Sequence, residues 1–294
     1  MKIINRDPAH PVLGIRRVGG FNFGQQVGAG GFSVVFKERA RCGWPVAVKV
    51  DSVRLRAGEY KNRFIDREAA VLSELDHPNI IKCLGHGKCF PRRIKSSEQR
   101  SDLAKVMSRD RRSFLALEYL GNYRKANEFV KGAADRVGSA LFIIEKTALA
   151  LAYLHDKGLI HADIKPDNIF VNGANVKVID FASARPEGQR IEPETEYWVM
   201  GTRGYLSLSR LKHNPPTKAD DLFALGMTAA ELCLGDLWME HFHLAAVGDK
   251  INGSNLPEPV KELLFRMIGV AGWTQFANAQ ELLEFIGRVR TTGV

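Results

Sequence analysis

Two short blocks carry the residues most suited to chemistry. The first is His161-Ala162-Asp163-Ile164-Lys165-Pro166-Asp167-Asn168, and the second, twelve residues past Asn168, is Asp180-Phe181-Ala182. Two aspartates, a lysine and an asparagine at this spacing suit the transfer of a phosphoryl group from a metal-bound nucleotide. Asp163 can orient an attacking hydroxyl, and Lys165 can offset charge on the phosphate. Asn168 and Asp180 offer the oxygen ligands that Mg2+ prefers.

The flanking elements must bring these groups together. Ile169-Phe170-Val171 and Val176-Lys177-Val178-Ile179 read as short strands across an Asn172-Gly173 turn. Such a hairpin sets Asn168 and Asp180 at adjacent strand ends, close enough to share a metal ion. Upstream, Leu141, Ile144, Ala148, Leu151 and His155 recur at helical spacing, predicting a helix over 139–157 with Ser139 as its cap and Gly158 as its stop. Downstream, Asp221 opens a further helix, where a carboxylate also complements the helix dipole. Helical stretches near 257–269 and 279–289 follow.

The first half reads differently. Residues 21–39 suggest two strands around Gly28-Ala29-Gly30-Gly31-Phe32-Ser33-Val34-Val35, a turn whose glycines let backbone N–H groups approach phosphates. Ser33-Val34-Val35-Phe36-Lys37 continues as strand, which excludes the helix a dinucleotide fold would need there. In Pro45-Val46-Ala47-Val48-Lys49-Val50, strand alternation puts the valines on the core face, with Ala47 and Lys49 on the other. A helix over about 60–75 follows, with Phe64, Val71, Leu72 and Leu75 as its apolar stripe. Glu68 lies on that stripe. A buried carboxylate needs a partner, and Lys49 is the candidate, with Arg67 or solvent as the alternative.

These motifs resemble the catalytic loop (H-R-D-x-K-x-x-N), the D-F-G turn, the glycine loop and the V-A-I-K strand of eukaryotic-type protein kinases. Asp76-His77-Pro78-Asn79-Ile80, Gly201-Thr202-Arg203-Gly204-Tyr205 and Asp221-Leu222-Phe223-Ala224-Leu225-Gly226 match further motifs of that family in register. The resemblance covers about 21–289. It implies an α+β, bilobal protein-kinase-like fold: an antiparallel sheet lobe with one main helix over 21–118, a larger, mostly helical lobe over 119–294, and an N-terminal extension over 1–20. It implies ATP as phosphoryl donor with Mg2+, or alternatively Mn2+. By the same resemblance Val27, Gly28, Gly30, Val35, Ala47, Glu118, Leu120 and Phe170 bind the nucleotide. The Glu118 carbonyl and Leu120 amide bond the adenine edge, Phe170 lies under the base and Leu117 is the gatekeeper. Lys49, held by Glu68, grips the α- and β-phosphates. Asp163 and Lys165 are catalytic, and Asn168 and Asp180 bind the metal. His161 braces the catalytic loop and Asp221 anchors its backbone. The segment from Asp180 to about Ser209 is the activation and substrate-binding segment. Thr202 together with Lys165 points to serine and threonine acceptors on proteins.

The sequence departs from the family at several points. Ser33 replaces the third glycine, and Ala182 the glycine after Asp-Phe. Ala162 replaces the arginine that pairs with an activation-segment phosphate, which implies activity independent of that contact. Ser207-Leu208-Ser209 stands for A-P-E, and the late arginine that pairs with its glutamate is missing too. Loss of both partners leaves no orphan buried charge, so the fold is expected to tolerate it.

The chain has 294 residues, 45% hydrophobic and 26% charged, with a net charge of +9. From His86 to Ser113 there are nine lysines and arginines against three acids, a local excess of six. This stretch of about 86–113 is longer than the turn the family uses there. It reads as a solvated loop, a docking site for an acidic partner, or an autophosphorylation target at Ser96, Ser97 or Ser113. Nucleic acid is disfavoured because aromatic residues are nearly absent there. No apolar run of membrane-spanning length is evident, and the first residues are too polar for a signal peptide. The four cysteines show no metal or disulfide spacing, in keeping with a reducing, cytoplasmic setting or an effector acting in a host cell. No second domain is expected after the last helix. The leading expectation is an ATP-dependent protein serine/threonine kinase with autophosphorylation. The alternatives are a pseudokinase-type interaction module and a small-molecule kinase of the aminoglycoside-phosphotransferase type.

Overall fold

The structure is a computed structural model. It describes residues 25–29, 33–40, 43–51, 64–89, 112–189, 201–235 and 244–291. The N-terminal extension, Gly30, Ser96 and Ser97, and most of the basic stretch lie outside the described residues. The chain divides into two compact units, Met1–Asp76 with Ile81–Gly121, and His77–Ile80 with Asn122–Val294.

The first unit is built on five antiparallel strands. These are β1 (Gln25–Ala29), β2 (Ser33–Arg39), β3 (Pro45–Asp51), β4 (Cys83–Cys89) and β5 (Arg112–Glu118), in spatial order β1-β2-β3-β5-β4. Val46, Val48 and Val50 are buried, as alternation requires. The register draws Gly28, Val35, Lys49 and Leu115 into one row across four strands. A second row aligns Lys37, Ala47 and Leu117. Directly opposed residues share a face, so Lys49, Ala47 and Val35 stand together on one side of the sheet.

Helix α1 is described over Phe64–Leu72; it ends three residues before the expected 75, with residues 73 and 74 in a turn, and the expected start at 60 lies outside the described residues. Its buried face is Ile65, Glu68, Ala69 and Leu72. Phe64 and Val71 are only half-buried, because the i, i+3, i+4, i+7 stripe starts at Ile65. Both ends of the basic stretch are strand, since Lys88 pairs with Ser113 and Cys89 with Arg112. Ser113 is buried, and its Oγ accepts a bond from Lys88 Nζ at 2.5 Å. That removes it from the accessible acceptors.

The second unit carries β6 (Arg124–Lys125), β7 (Leu159–Ile160), β8 (Ile169–Asn172), β9 (Asn175–Val178) and β10 (Arg185–Pro186). Its helices are α2 (Ala126–Lys131), α3 (Arg136–Asp156), α4 (Leu208–Leu211), α5 (Lys218–Leu234), α6 (Leu244–Asn252), α7 (Glu258–Ile268) and α8 (Ala279–Thr291). The cap of α3 is Asp135, whose Oδ1 accepts from Gly138 N at 2.8 Å. Ser139, the expected cap, lies inside the helix. By length and composition α3 could cross a membrane, although no apolar run of that length is evident in the sequence. Its apolar residues, Leu141, Ile144, Leu151 and Leu154 among them, are instead buried in this unit, which makes it the core helix.

Helix α5 is buried along most of its length, and at Gly226 an added Cβ would stand 2.6 Å from Met267 Cβ on α7. Only glycine permits that approach. The His77–Ile80 segment belongs to this unit through β9. Asn79 O accepts from Val178 N at 2.8 Å, and Asn79 Nδ2 donates to Val176 O at 3.0 Å.

Candidate active site

In the first unit, β3 aims Lys49 at α1. Lys49 Nζ lies 2.8 Å from Glu68 Oε2, and the Glu68 side chain is only 1% exposed. The pair present is therefore the lysine nineteen residues away, and Arg67 is exposed. Glu118 ends β5 with its Oε1 accepting from Lys82 N at 2.8 Å, which holds the strand end in place. Leu117 is buried, Val35 and Leu120 are half-buried, and Val27 is 43% exposed.

In the second unit, the β8–β9 hairpin closes with Asn172 opposite Asn175. The turn therefore centres on Gly173-Ala174, one residue beyond the expected pair, and Gly173 takes the positive φ of 55°. Phe170 sits on β8 opposite Lys177 and Lys125. At the other end Ile179 N donates to Asn168 O at 2.9 Å. That bond places Asn168 one residue away from register with Asp180.

The structure draws the catalytic block into one network. Asn168 Nδ2 donates to Asp163 O at 2.8 Å and to Asp163 Oδ2 at 3.0 Å. Lys165 Nζ lies 3.3 Å from Asp163 Oδ2 and donates to Thr202 Oγ1 at 2.6 Å. Thr202 Oγ1 in turn donates to Asp163 Oδ1 at 3.0 Å. Asp163 and Lys165 keep 12% and 21% side-chain exposure, enough for a substrate to reach them.

Two strained residues mark the same blocks. Ala162 has φ 64° and Asp180 φ 63°, the left-handed region that side chains other than glycine seldom adopt. Surrounding bonds hold Ala162 there. Its N donates to Asp221 Oδ1 and the neighbouring His161 N to Asp221 Oδ2, both at 2.9 Å. His155 Nε2 lies 3.0 Å from the same Oδ2. Gly201, with φ 122°, packs so tightly that a Cβ would stand 3.0 Å from Ala162 O. Strain of this kind concentrates where a structure needs one particular geometry.

His161 is fully buried and braces the loop. Asp163 N donates to its Nδ1 at 3.3 Å, so Nε2 carries the proton toward Ile179 O, 3.2 Å away. Its ring meets Phe181 edge-on at 4.7 Å. Both nitrogens are engaged with backbone, which leaves no acid–base role for this side chain.

The donor set around Asn168 and Asp180 fits a hard divalent cation. The asparagine spends its NH2 on Asp163, so its carbonyl oxygen is the atom left for coordination, and Asp180 supplies a carboxylate.

A family model described as protein kinase domain matches residues 21–256. The chain belongs to the protein kinase family. It is similar to human 3-phosphoinositide-dependent protein kinase 1, 29% identical over 221 residues, 73% of this chain and 35% of that protein. A probable serine/threonine-protein kinase of Bifidobacterium longum is 26% identical over 222 residues, 74% of this chain and 27% of that protein. A putative serine/threonine-protein kinase of Helianthus annuus is 31% identical over 214 residues, 71% of this chain and 80% of that protein. The match thus spans only about a third of the first of these relatives and about a quarter of the second.

Three features of this kinase site escape sequence reasoning. Where the family's glutamate–arginine anchor is missing, Arg210 is buried, its Nη1 donating to Asn214 O. Burial lowers its pKa, and the charges of Asp220 and Asp221 oppose that. Ser207 Oγ donates to Asp220 Oδ1 at 2.5 Å. Tyr205 donates to Glu231 Oε2, and burial, then that bond, push its hydroxyl pKa well up. The acid pair Asp220-Asp221 at one helix start was the available signal for the first two.

Proposed function

We propose that this chain is an ATP-dependent protein serine/threonine kinase. The observation that carries the reading is the network in which Lys165, Asn168 and Thr202 all contact the Asp163 carboxylate. In the reaction, Asp163 orients the acceptor hydroxyl and accepts its proton. The hydroxyl oxygen bonds to the γ-phosphorus as the bond to the leaving ADP oxygen breaks. Lys165 offsets charge on the transferred group, and Lys49, steadied by Glu68, holds the α- and β-phosphates. Asn168 and Asp180 would hold Mg2+, or Mn2+ in its place. A bound divalent ion supplies Lewis-acid neutralisation of the phosphate oxygens. By the family resemblance Val27, Gly28, Gly30, Val35, Ala47 and Phe170 would contact the nucleotide, with the Glu118 carbonyl and Leu120 amide at the adenine edge.

Protein acceptors are supported by Thr202, which bonds Asp163 from the segment expected to receive the substrate chain, together with Lys165 beside it. The free thiols of Cys83 and Cys233 support a reducing compartment such as the cytoplasm. The test is a panel of acceptors given labelled ATP and Mg2+. Label on serine and threonine of proteins, the chain itself included, supports the reading. Label on an aminoglycoside or sugar and on no protein would replace it with the small-molecule alternative.

A further inference from the structure

The first turn of α5 presents two adjacent carboxylates, and the reading above uses only one of them. Asp221 takes the backbone amides of His161 and Ala162, and so holds the loop that bears Asp163. Asp220 does a second job. Its Oδ2 accepts from Thr217 N at 2.7 Å and Thr217 Oγ1 at 2.9 Å, closing a capping box on α5. Its Oδ1 is left for Ser207 Oγ at 2.5 Å.

Ser207 is itself a cap, accepting from Arg210 N at 3.1 Å at the start of α4. A cap needs no partner on another helix, so the bond from this cap to the capping-box carboxylate of α5 is an addition to both. On its other side Ser207 follows the 3-10 turn Arg203–Tyr205, where Tyr205 N donates to Thr202 O at 2.9 Å and Leu206 N to Arg203 O at 3.2 Å. From Thr202 to Ser207 the backbone is thus a short, hydrogen-bonded run. Asp163, Thr202, Tyr205, Ser207, Arg210 and Asp220 line one small cavity. Arg210 is buried beside this cavity, and its charge is favoured by Asp220 and Asp221.

We propose that Ser207 and Asp220 are a positioning pair that registers Thr202 against Asp163, replacing the glutamate–arginine anchor that this chain lacks. Asp221 fixes the aspartate's loop and Asp220 fixes the threonine's segment, both from one turn of one helix. The proposal rests on the kinase reading for its effect on rate. Its effect on the segment's order does not depend on that reading.

The test compares Ser207→Ala, Ser207→Thr, Asp220→Asn and the Ser207→Ala/Asp220→Asn double variant, each verified as folded by circular dichroism. Loss of the clasp misplaces Thr202, so Ser207→Ala lowers kcat toward a peptide by about five- to tenfold with KM for ATP unchanged. Ser207→Thr keeps a hydroxyl and returns kcat to within about twofold of the parent. The double variant loses less than the sum of the two single losses, because both changes act on one contact. Hydrogen exchange gives the activity-independent reading: the Tyr205 and Leu206 amides exchange faster in Ser207→Ala. Unchanged kcat and unchanged exchange in that variant overturn the proposal. If the parent transfers no more phosphate than Asp163→Asn, the kinase reading fails by itself. Exchange alone then decides the pair, faster amides upholding the clasp and unchanged amides ending it.

Discussion

Thr202 Oγ1 donates to Asp163 Oδ1 at 3.0 Å across 39 residues of chain. The same oxygen accepts from Lys165 Nζ at 2.6 Å, so one hydroxyl bridges the base and the cation. A hydroxyl suits this place because it donates and accepts at once, and neither a methyl nor an ammonium could do both.

Removing that hydroxyl is predicted to slow transfer without unfolding the chain. Thr202→Ala and Thr202→Val should each lower kcat by about tenfold, roughly 1.4 kcal/mol of barrier, while Thr202→Ser stays near the parent. Steady-state phosphorylation of a peptide checks this. Equal rates for alanine and serine at this position would show that the bond does not position Asp163.

The Lys49–Glu68 pair should carry stability as well as function. Lys49 and Glu68 side chains are 13% and 1% exposed, so Lys49→Met takes the opposing charge from a desolvated carboxylate and costs about 3 kcal/mol in urea unfolding. Lys49→Met/Glu68→Gln removes the uncompensated charge as well and is expected to regain about half of that loss. Transfer activity stays lost in both, because the phosphate contact is gone. A double variant no more stable than the single one would contradict the pairing.

Asp51 predicts a pH signature. Burial, outweighing hydrogen bonds with Ser113, raises its pKa from 3.8 to about 6, with Asp66 and Lys88 acting more weakly. The folded state therefore keeps this proton at pH values where the unfolded chain has released it. Stability from the group is full below about pH 3.8 and is lost as the pH rises to about 6. Asp51→Asn does not titrate, so its urea midpoint should gain on the parent's between pH 4 and 6, with the gap flat above. A gap that does not change with pH would place the carboxylate in solvent.

Ala162 puts no cation where the family's arginine would meet an activation-segment phosphate, and its backbone N already bonds Asp221. Phosphatase-treated protein should therefore keep its activity. Thr202 is engaged by Asp163 and Lys165, and Ser183 is buried, so neither is an open acceptor. Collapse of activity after dephosphorylation would mean that another cation takes the arginine's place.

How far the sequence could be read depended on where each partner lies along the chain. Asp163, Lys165 and Asn168 sit in one block, and strand alternation around Lys49 marks its face by itself. The hairpin was visible from two short apolar runs, though its turn centred one residue late. Asp135 displaced Ser139 as the cap of α3 because either residue type can cap, and only local geometry decides. The stripe of α1 was misjudged because Phe64 and Val71 are apolar, yet flank the buried face instead of forming it. Arg210 and the Ser207–Asp220 bond were hidden for a plainer reason. Their contacts join segments that no periodicity or motif relates, and the sequence there showed only what the family's anchor had lost.

The most direct measurement of the central claim is phosphoryl transfer from γ-labelled ATP with Mg2+, comparing the parent with Asp163→Asn and Asp180→Ala. The account predicts label on serine or threonine with the parent and a loss of at least about a hundredfold in each variant. Equal labelling in all three, or none above the variants in the parent, would contradict it.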